Sequence, residues 1–370
     1  MMADPKAIAV CSDSEYSWAM QLEAARDLPK AVLHDHLDGG LRVETMIELA
    51  ADAGYSSLPS DDPVELADAM FQGQSGSLRA YLESFSHTVA VMQTTAAIER
   101  VAYEAGIDHH RDGVVYAELR FGPSLLTEQG LSREDAIEAA LLGLRRAASE
   151  TGLVFGLLIS AIRHDDDSED VAISAVRYVG EGVVGFDLAG REIGFPPDDH
   201  LPALHRAREH GLGITLHAGE AAGTESIAAA LGKGGAQRLG HGVRIVDDCK
   251  VEDGEIIALG SLATRVRDQR IPLEISITSN IHTGLVPDVQ SHPFGMLYRA
   301  GFNVSINTDN RLMSRVTMSS EVALAAQTYR LTASDLGTIA VGALRAGFGD
   351  WEQRQRLIED VVTPAYSAAT

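Results

Sequence analysis

Cysteines, basic residues and long apolar runs are scarce in this sequence of 370 residues. Only Cys11 and Cys249 are present, which excludes a disulfide framework and a zinc-ribbon spacing. The N-terminus lacks the basic segment and apolar core of a signal peptide, so we expect a protein of the reducing cytoplasm. The longest apolar runs, such as residues 154–159, fall far short of the roughly 20 residues of a membrane-spanning helix. No membrane association is predicted.

The charge balance is strongly acidic. Asp and Glu number 53 against 30 Lys and Arg, which gives a formal net charge of −23. Nucleic-acid binding needs clustered Lys and Arg that neutralise phosphates, so no nucleic-acid partner is expected. Long-range repulsion also disfavours highly anionic substrates. The expected ligand is a neutral small molecule.

The apolar pattern predicts a barrel. Hydrophobic residues make up 45% of the chain, enough for a large core. Short apolar runs alternate with helical segments eight times, which favours a parallel (β/α)8 TIM barrel over an open sheet. We expect residues 29–370 to form this single domain and residues 1–28 to form an N-terminal helical extension. The predicted strands are Ala31–His36, Val114–Arg120, Val154–Ser160, Val183–Leu188, Ile214–His217, Arg238–His241, Pro272–Ile277 and Asn303–Asn307.

One stretch, residues 41–112, interrupts the alternation after the first strand. It contains several helical segments, including residues 78–92, and a Gly/Ser loop at residues 73–77. An insertion at this point of a barrel lies over the C-terminal face, where active sites are found. We therefore predict a lid, and the alternative is a surface insertion without substrate contact.

Ionisable residues lie at the ends of four predicted strands. His34 and His36 share one face of the first strand, about 7 Å apart at the backbone, so both imidazoles could reach one ion. Later strands lead to His217, His241 and Asp309. Three imidazoles and a carboxylate, from His34, His36, His217 and Asp309, are the kind of ligand set that Zn²⁺ takes in catalytic sites. Fe²⁺ and Co²⁺ remain alternatives. Such an ion lowers the pKa of bound water toward about 7, which predicts hydrolysis rather than redox chemistry.

Two further groups could move protons. Glu220, three residues after His217, could protonate the substrate, although it could also be only a first-turn acid of a helix. His241 could orient the water and stabilise its charge, and Asp309 could accept the water's proton.

Other polar residues receive no chemical role. Asp187, at the end of the fourth strand, is interpreted as a possible turn cap. Nine histidines outside the motifs are interpreted as surface or locally hydrogen-bonded groups. Of these, His109 and His110 are predicted to be exposed on a helix.

Six short motifs occur along the chain: residues 34–39 (HDHLDG), 187–192 (DLAGRE), 217–220 (HAGE), 240–242 (GHG), 278–280 (TSN) and 307–309 (NTD). In order and spacing they are similar to the motifs of the adenosine deaminases, a family of metal-dependent adenosine/AMP deaminase-type amidohydrolases. The similarity runs from about Pro29 to Met318.

The resemblance implies zinc-dependent hydrolytic deamination of adenosine, and of 2′-deoxyadenosine, to inosine and ammonia in a (β/α)8 barrel. The enzyme would be a hydrolase of the C–N bond of a cyclic amidine. Glu220 would protonate N1 of the purine, and His241 would activate the water that attacks C6. One Zn²⁺ per chain would be held by His34, His36, His217 and Asp309.

The resemblance also implies substrate contacts. His36 would belong to the substrate-binding residues as well as to the metal ligands. Asp38 would bond the ribose hydroxyl, and the Gly190 backbone would meet purine N3. Tyr81 and Phe85 correspond to apolar gate residues over the pocket.

The sequence departs from the family pattern near the ligand Asp309. Asn310–Arg311 stands where the family usually has Asp followed by Pro. The Asn310 amide offers a donor for purine N7 without a protonation requirement, so we expect purine recognition to be kept. Ser276 stands where Cys is common. Gly122 and Ser124 occupy a loop that usually carries bulkier residues.

Several alternative functions remain. A deaminase of adenine or of a modified adenosine is the main one, and Asp38 mildly favours a ribosyl group. A binuclear amidohydrolase is disfavoured because residues 186–190 lack a bridging lysine. A cytidine-deaminase-like site would need His-x-Glu and Pro-Cys-x-x-Cys, which the sequence lacks. A non-catalytic binding barrel is disfavoured because it would not need Glu220 and His241. The sequence makes no prediction of oligomeric state.

Overall fold

The fold comes from a computed structural model that describes residues 22–369. Most of the predicted N-terminal extension, residues 1–21, lies outside the described residues. Its last part forms a short helix, Leu22–Asp27. Within residues 22–369, no helix has both the length and the apolar character needed to cross a membrane.

Eight parallel strands form the barrel, in the order of the chain. All eight predicted strands are confirmed, with each end within two residues of its predicted position. A two-stranded hairpin, β7 and β8, lies between the sixth and seventh barrel strands. The strands are β1 (Lys30–His36), β2 (Val114–Phe121), β3 (Val154–Ile162), β4 (Val183–Ala189), β5 (Gly213–Ala218), β6 (Arg238–His241), β7 (Cys249–Glu252), β8 (Glu255–Leu259), β9 (Leu273–Ile275) and β10 (Val304–Ile306).

Helices surround the barrel and bury the outer faces of its strands. For this reason the strands are almost continuously buried, as parallel strands covered on both faces usually are. The helices are α1 (Leu22–Asp27), α2 (Val43–Ala53), α3 (Pro63–Met70), α4 (Leu78–Glu83), α5 (Phe85–Val91), α6 (Thr95–Arg111), α7 (Arg133–Thr151), α8 (Ser168–Ala175), α9 (Leu201–Glu209), α10 (Thr224–Gly232), α11 (Ser261–Asp268), α12 (Ile277–His282), α13 (Phe294–Arg299), α14 (Arg311–Ser314), α15 (Met318–Tyr329), α16 (Ala333–Ala346), α17 (Trp351–Arg356) and α18 (Thr363–Ala368).

The barrel closes where the end of β1 meets the residues after β10. Asp35 and Asp309 form a parallel bridge there. The His36 backbone N–H donates to the Asp309 carbonyl at 2.8 Å, and the Asp309 N–H donates to the His34 carbonyl at 2.9 Å. This closure brings residues from opposite ends of the domain to one point.

The insertion after β1 contains α2 to α5, and α6 returns the chain to β2. The predicted helix over residues 78–92 is divided at Ser84 into α4 and α5. The Gly/Ser loop is anchored, because the Gly76 N–H and the Ser75 hydroxyl both donate to the His282 carbonyl, at 3.0 and 2.7 Å. Tyr81 of α4 contacts Ser314 at 2.8 Å between the two hydroxyl oxygens. The insertion is thus seated on the C-terminal face of the barrel, as predicted for a lid.

Candidate metal centre and substrate pocket

The predicted metal ligands converge at the C-terminal end of the barrel. Nε2 of His34 and Nε2 of His36 each lie 3.4 Å from Oδ1 of Asp309. Nε2 of His36 lies 3.3 Å from Nε2 of His217. Two imidazole nitrogens this close need a proton or a cation between them, because neither lone pair can otherwise be satisfied. His34 Nε2 is buried without a hydrogen-bond partner in the described part of the chain. These donors fit a divalent cation.

Two carboxylates orient the imidazoles of His34 and His217 by contacting their Nδ1 atoms. Nδ1 of His34 lies 3.1 Å from Glu274 Oε2, and Nδ1 of His217 lies 3.0 Å from Asp187 Oδ1. Each carboxylate accepts the Nδ1 proton and so leaves the Nε2 lone pair for a metal ion. The interpretation of Asp187 as a turn cap is therefore wrong: the residue is fully buried and contacts a ligand histidine. Sequence reasoning missed Glu274 altogether.

A buried arginine holds both carboxylates. Arg120 donates to Glu274 at 2.7 Å and to Asp187 at 3.3 Å. Burial alone would raise the pKa of Glu274, but the charges of Arg120 and Arg238 hold that pKa well below its ordinary value. Burial would also raise the pKa of Asp187, but the charges of His217 and Arg120 hold it below its ordinary value. Both carboxylates therefore remain ionised and can accept the histidine protons.

Two of the site residues adopt strained backbone conformations. His241, at the end of β6, has φ +63°, and Asp309 has φ +57°. Such left-handed conformations cost a non-glycine residue of the order of 1–2 kcal/mol. They persist where the surrounding structure enforces them, often at functional sites.

A cavity of about 630 Å³ opens above this centre. The structure brings all the predicted catalytic and substrate-binding residues to its wall. From the lid come Tyr81, which is buried, and Phe85, which is half-buried. The predicted site residues that line it are His36, Asp38, Tyr81, Phe85, Gly190, His217, Glu220, His241, Asp309 and Asn310.

Glu220 lies buried beside His241, with 3.6 Å between Glu220 Oε2 and His241 Nε2. Burial, followed by the charges of Asp309 and Glu192, raises the pKa of Glu220 well above its ordinary value. A raised pKa favours the protonated carboxylic acid, which can donate a proton to a bound substrate. Burial likewise lowers the pKa of His241 well below its ordinary value, which keeps its imidazole neutral.

The loop that carries Glu220 is fixed by Glu192, a residue to which the sequence motifs assigned no role. Its carboxylate accepts the backbone N–H of Gly219 at 2.6 Å and of Glu220 at 3.2 Å. It also accepts those of Ala221 and Ala222, at 2.6 and 2.8 Å. Four backbone donors on one carboxylate hold the acid in place over the cavity.

Asp38 and Asn310 line the cavity with unsatisfied polar atoms. Burial raises the pKa of Asp38 to about 7. Within the described residues, Asp38 Oδ1 and Asn310 Oδ1 have no hydrogen-bond partner. Asn310 Oδ1 lies against Gly39, where a Cβ atom would overlap it.

The remaining predictions have mixed outcomes. His110 is exposed as predicted, but His109 is only 2% exposed, with Nε2 3.4 Å from Asp35 Oδ1. The prediction of an exposed His109 is therefore wrong, because α6 packs this side against the barrel. Of the departures from the family pattern, Gly122 lines the cavity, whereas Ser124 bonds Asp167 outside it.

Comparison with known proteins gives a consistent result. A family profile described as adenosine deaminase matches residues 29–364. The chain belongs to the adenosine deaminase family. It is 47% identical over 352 residues to the adenosine deaminase of Mycobacterium marinum, a match that covers 94% of this chain and 97% of that protein.

Solved structures agree with this fold. The N6-methyl-AMP deaminase from Arabidopsis thaliana is 28% identical, with a TM-score of 0.77 over 95% of this chain and 99% of that chain. The adenine deaminase from Arthrobacter aurescens has a TM-score of 0.80 over 92% of this chain and 98% of that chain. Its identity is 23%, so this likeness shows the fold alone. The adenosine deaminase family is metal-dependent, and the histidine and aspartate cluster described above could hold the metal.

Proposed function

We propose that this protein is a zinc-dependent adenosine deaminase, which converts adenosine and 2′-deoxyadenosine to inosine or 2′-deoxyinosine and ammonia. The observation that carries the proposal is the buried Glu220, 3.6 Å from His241, beside the converging nitrogens of three histidines and one Asp309 oxygen. Burial raises the pKa of Glu220, which favours the protonated acid. The relatives named adenosine deaminase, at 46–47% identity, support it.

Four residues would hold one Zn²⁺: His34, His36, His217 and Asp309. Three neutral imidazoles and one carboxylate match the preference of Zn²⁺ for nitrogen and oxygen donors. When bound, the ion supplies a water activated for attack at neutral pH. Asp187 and Glu274, by accepting the Nδ1 protons of His217 and His34, would leave the Nε2 atoms of these residues free to bind the ion.

The chain's own groups would move the protons. Glu220 donates its proton to N1, which makes C6 more electrophilic as the water oxygen adds to it. His241 contacts that oxygen from the side of β6. Asp309, whose second carboxylate oxygen accepts from Ser279 at 2.6 Å, takes the proton that the water loses. That proton leaves with the amine as ammonia, and the proton on the new C6 oxygen returns to Glu220.

Other cavity residues would bind the nucleoside. Asp38 lies where it can accept a ribose hydroxyl, and the Gly190 backbone would meet purine N3. The Asn310 amide nitrogen would donate to N7, because its oxygen is turned against Gly39. Tyr81 and Phe85 of the lid would cover the base.

We propose that residues 29–370 act as one catalytic domain, that the substrate is its main partner, and that the protein works in the cytoplasm. Adenine or a modified adenosine remains the second candidate substrate. The ribose contact proposed for Asp38 favours the nucleoside.

The direct test is the ultraviolet change on mixing the purified protein with adenosine, adenine and AMP. Each substrate is tried after chelation and again after zinc is restored. Adenosine conversion that chelation abolishes and zinc restores supports the proposal. No conversion of adenosine by protein that contains zinc would exclude it.

A variant tests the acid. Glu220→Gln should keep zinc and bind inosine, but kcat should fall about 10²- to 10⁴-fold because the proton donor is lost. Steady-state kinetics and metal analysis measure both properties. Glu225→Gln, on the exposed start of α10, is the control and should behave as wild type. Normal turnover by Glu220→Gln would remove this residue from the mechanism.

A further inference from the structure

Two buried polar side chains, Asn280 and His292, lead away from His241 as a hydrogen-bonded chain, and the proposed mechanism does not use them. Nδ1 of His241 lies 3.0 Å from the amide nitrogen of Asn280. The amide oxygen of Asn280 lies 3.2 Å from Nε2 of His292. Nδ1 of His292 accepts the backbone N–H of Phe294 at 3.1 Å. His241, Asn280 and His292 are 1%, 0% and 2% exposed.

The backbone amide sets the direction of every bond in this chain. A backbone N–H can only donate, so Nδ1 of His292 must be an acceptor. The imidazole of His292 is then neutral, with its proton on Nε2, and burial lowers the pKa of His292 to about 3 in agreement. This Nε2–H donates to the Asn280 oxygen. The Asn280 NH₂ must therefore face His241 and donate to its Nδ1.

His241 thus differs from the ligand histidines in the polarity of its partner. Nδ1 of His34 and Nδ1 of His217 face carboxylates, which only accept. Those imidazoles carry the proton on Nδ1 and offer an Nε2 lone pair. Nδ1 of His241 faces a donor, so its proton lies on Nε2. The ligand atoms of His34, His217 and His241 lie within 4.8 Å of one another, close enough for one ion. A protonated nitrogen has no lone pair for a metal, so the proton on Nε2 would keep His241 out of the ligand set.

We infer that Asn280 and His292 are positioning residues that hold His241 with its proton on Nε2, so that His241 donates a hydrogen bond to the attacking oxygen rather than removing its proton. The inference rests on the proposed deaminase function for its catalytic consequence, but the tautomer is a property of the chain alone. A donor preorganised toward the oxygen that attacks C6 stabilises the charge on it. The proton of the water then goes to Asp309.

The first experiment measures the tautomer without any turnover. Histidines are labelled with ¹³C and ¹⁵N, and spectra are recorded on metal-free and zinc-loaded protein. The signal that disappears in His241→Gln identifies His241. We expect a proton on Nε2 of His241 in both forms. A proton on Nδ1 would overturn the inference, whether or not the protein deaminates adenosine.

The second experiment reverses the direction of the hydrogen bond between Asn280 and His241. Asn280→Asp is nearly isosteric, but its carboxylate can only accept, so it should move the His241 proton to Nδ1. Because a neutral imidazole carries only one ring N–H, His241 would then have no proton on Nε2. We expect kcat to fall about 10²-fold, as on loss of a preorganised donor, with KM and zinc content nearly unchanged. An unmoved proton, or a moved proton with normal kcat, would contradict the inference.

The third experiment separates positioning from packing at the far end of the chain. His292→Gln can still accept from Phe294 and donate to Asn280, so it should keep most activity and the wild-type tautomer. His292→Phe cannot, so it should lose about 10-fold or more in kcat. His87→Phe is the matched control, because it removes a 2.9 Å contact with Tyr55 outside the site. Equal kcat for the Gln and Phe variants of His292 would refute the positioning role.

Discussion

Single residues at this site derive their chemistry from partners on other strands. The motifs identified His34 and His217 as metal ligands, because their spacing is visible in the sequence. No motif contains Glu274, and the motif at residues 187–192 contains Asp187 without showing that it orients an imidazole. A carboxylate at a strand end has the same local sequence whether it caps a turn or accepts a histidine proton. Only the neighbouring strand distinguishes the two, so these roles could not be predicted.

Asn310 tests substrate recognition at the residue scale. Asn310→Leu should lower kcat/KM for adenosine about 10-fold or more, because purine N7 then loses its hydrogen-bond donor in a buried site. Asn310→Asp should be active only while the new carboxyl is protonated, so its kcat/KM should fall as the pH rises. Wild type should not show that fall. Wild-type kcat/KM in Asn310→Leu would exclude a role for this side chain.

Glu321 makes stability depend on pH. Its carboxylate accepts the Thr278 N–H at 3.2 Å, and burial raises its pKa from 4.5 to about 7. A folded-state pKa above the unfolded value gives stability that is complete below pH 4.5 and is lost as the pH rises toward 7. Glu321→Gln mimics the protonated group. Relative to this variant, wild type should lose about 2 kcal/mol of unfolding free energy between pH 5 and about 8.

Urea unfolding across this pH range measures the difference. Glu138→Gln, at an exposed position on α7, should follow wild type at every pH. Parallel stability curves for wild type and Glu321→Gln would show that Glu321 is ionised in the folded protein.

At the scale of elements, the eight barrel strands were predictable because burial on both faces gives each an apolar run of its own. The hairpin β7–β8 was missed because its strands are mostly exposed and lack such a run. A signal was present at its turn. Asp253–Gly254, both at positive φ, is a favoured two-residue hairpin turn. The break at Ser84 could not be predicted, because both sides of it have helical composition.

The contact between Gly284 and the loop before α4 tests whether the insertion after β1 covers the substrate. Gly284 has φ +77°, and a Cβ atom there would overlap the Gly76 carbonyl in the loop before α4. Gly284→Ala should push this loop from α12 and loosen Tyr81 and Phe85 over the cavity. We expect KM for adenosine to rise several-fold, and limited proteolysis near residues 71–78 to become faster, while the barrel stays folded.

Gly254→Ala separates backbone strain from displacement of the lid. Gly254 also has positive φ, +75°, but an added Cβ would meet nothing within 4 Å. This variant should keep the wild-type KM and cleavage pattern. Unchanged KM and cleavage in Gly284→Ala would mean that the insertion does not cover the substrate.

The whole barrel is organised around buried charges. Arg120, Arg238 and Glu274 are fully or almost fully buried in its interior, beneath the ligand histidines. Such groups are costly to bury unless each is paired, and here each arginine contacts Glu274. The predicted metal ligands come from β1, β5 and the end of β10, so one ion would join the first and last strands of the domain. The metal should therefore stabilise the complete fold as well as the site.

Metal removal tests this coupling. A ligand that binds only the folded state at 1,000 times its Kd adds about 4 kcal/mol to the unfolding free energy. Chelation should therefore lower the Tm of the whole domain by about 5 °C, and zinc should restore it. Glu220→Gln should keep this zinc-dependent shift, whereas His34→Gln should lose most of it, because a ligand joining β1 to the centre is gone. Calorimetry with and without zinc measures the shift. A wild-type Tm that is indifferent to zinc, in protein shown to bind it, would mean that the metal serves catalysis without closing the barrel.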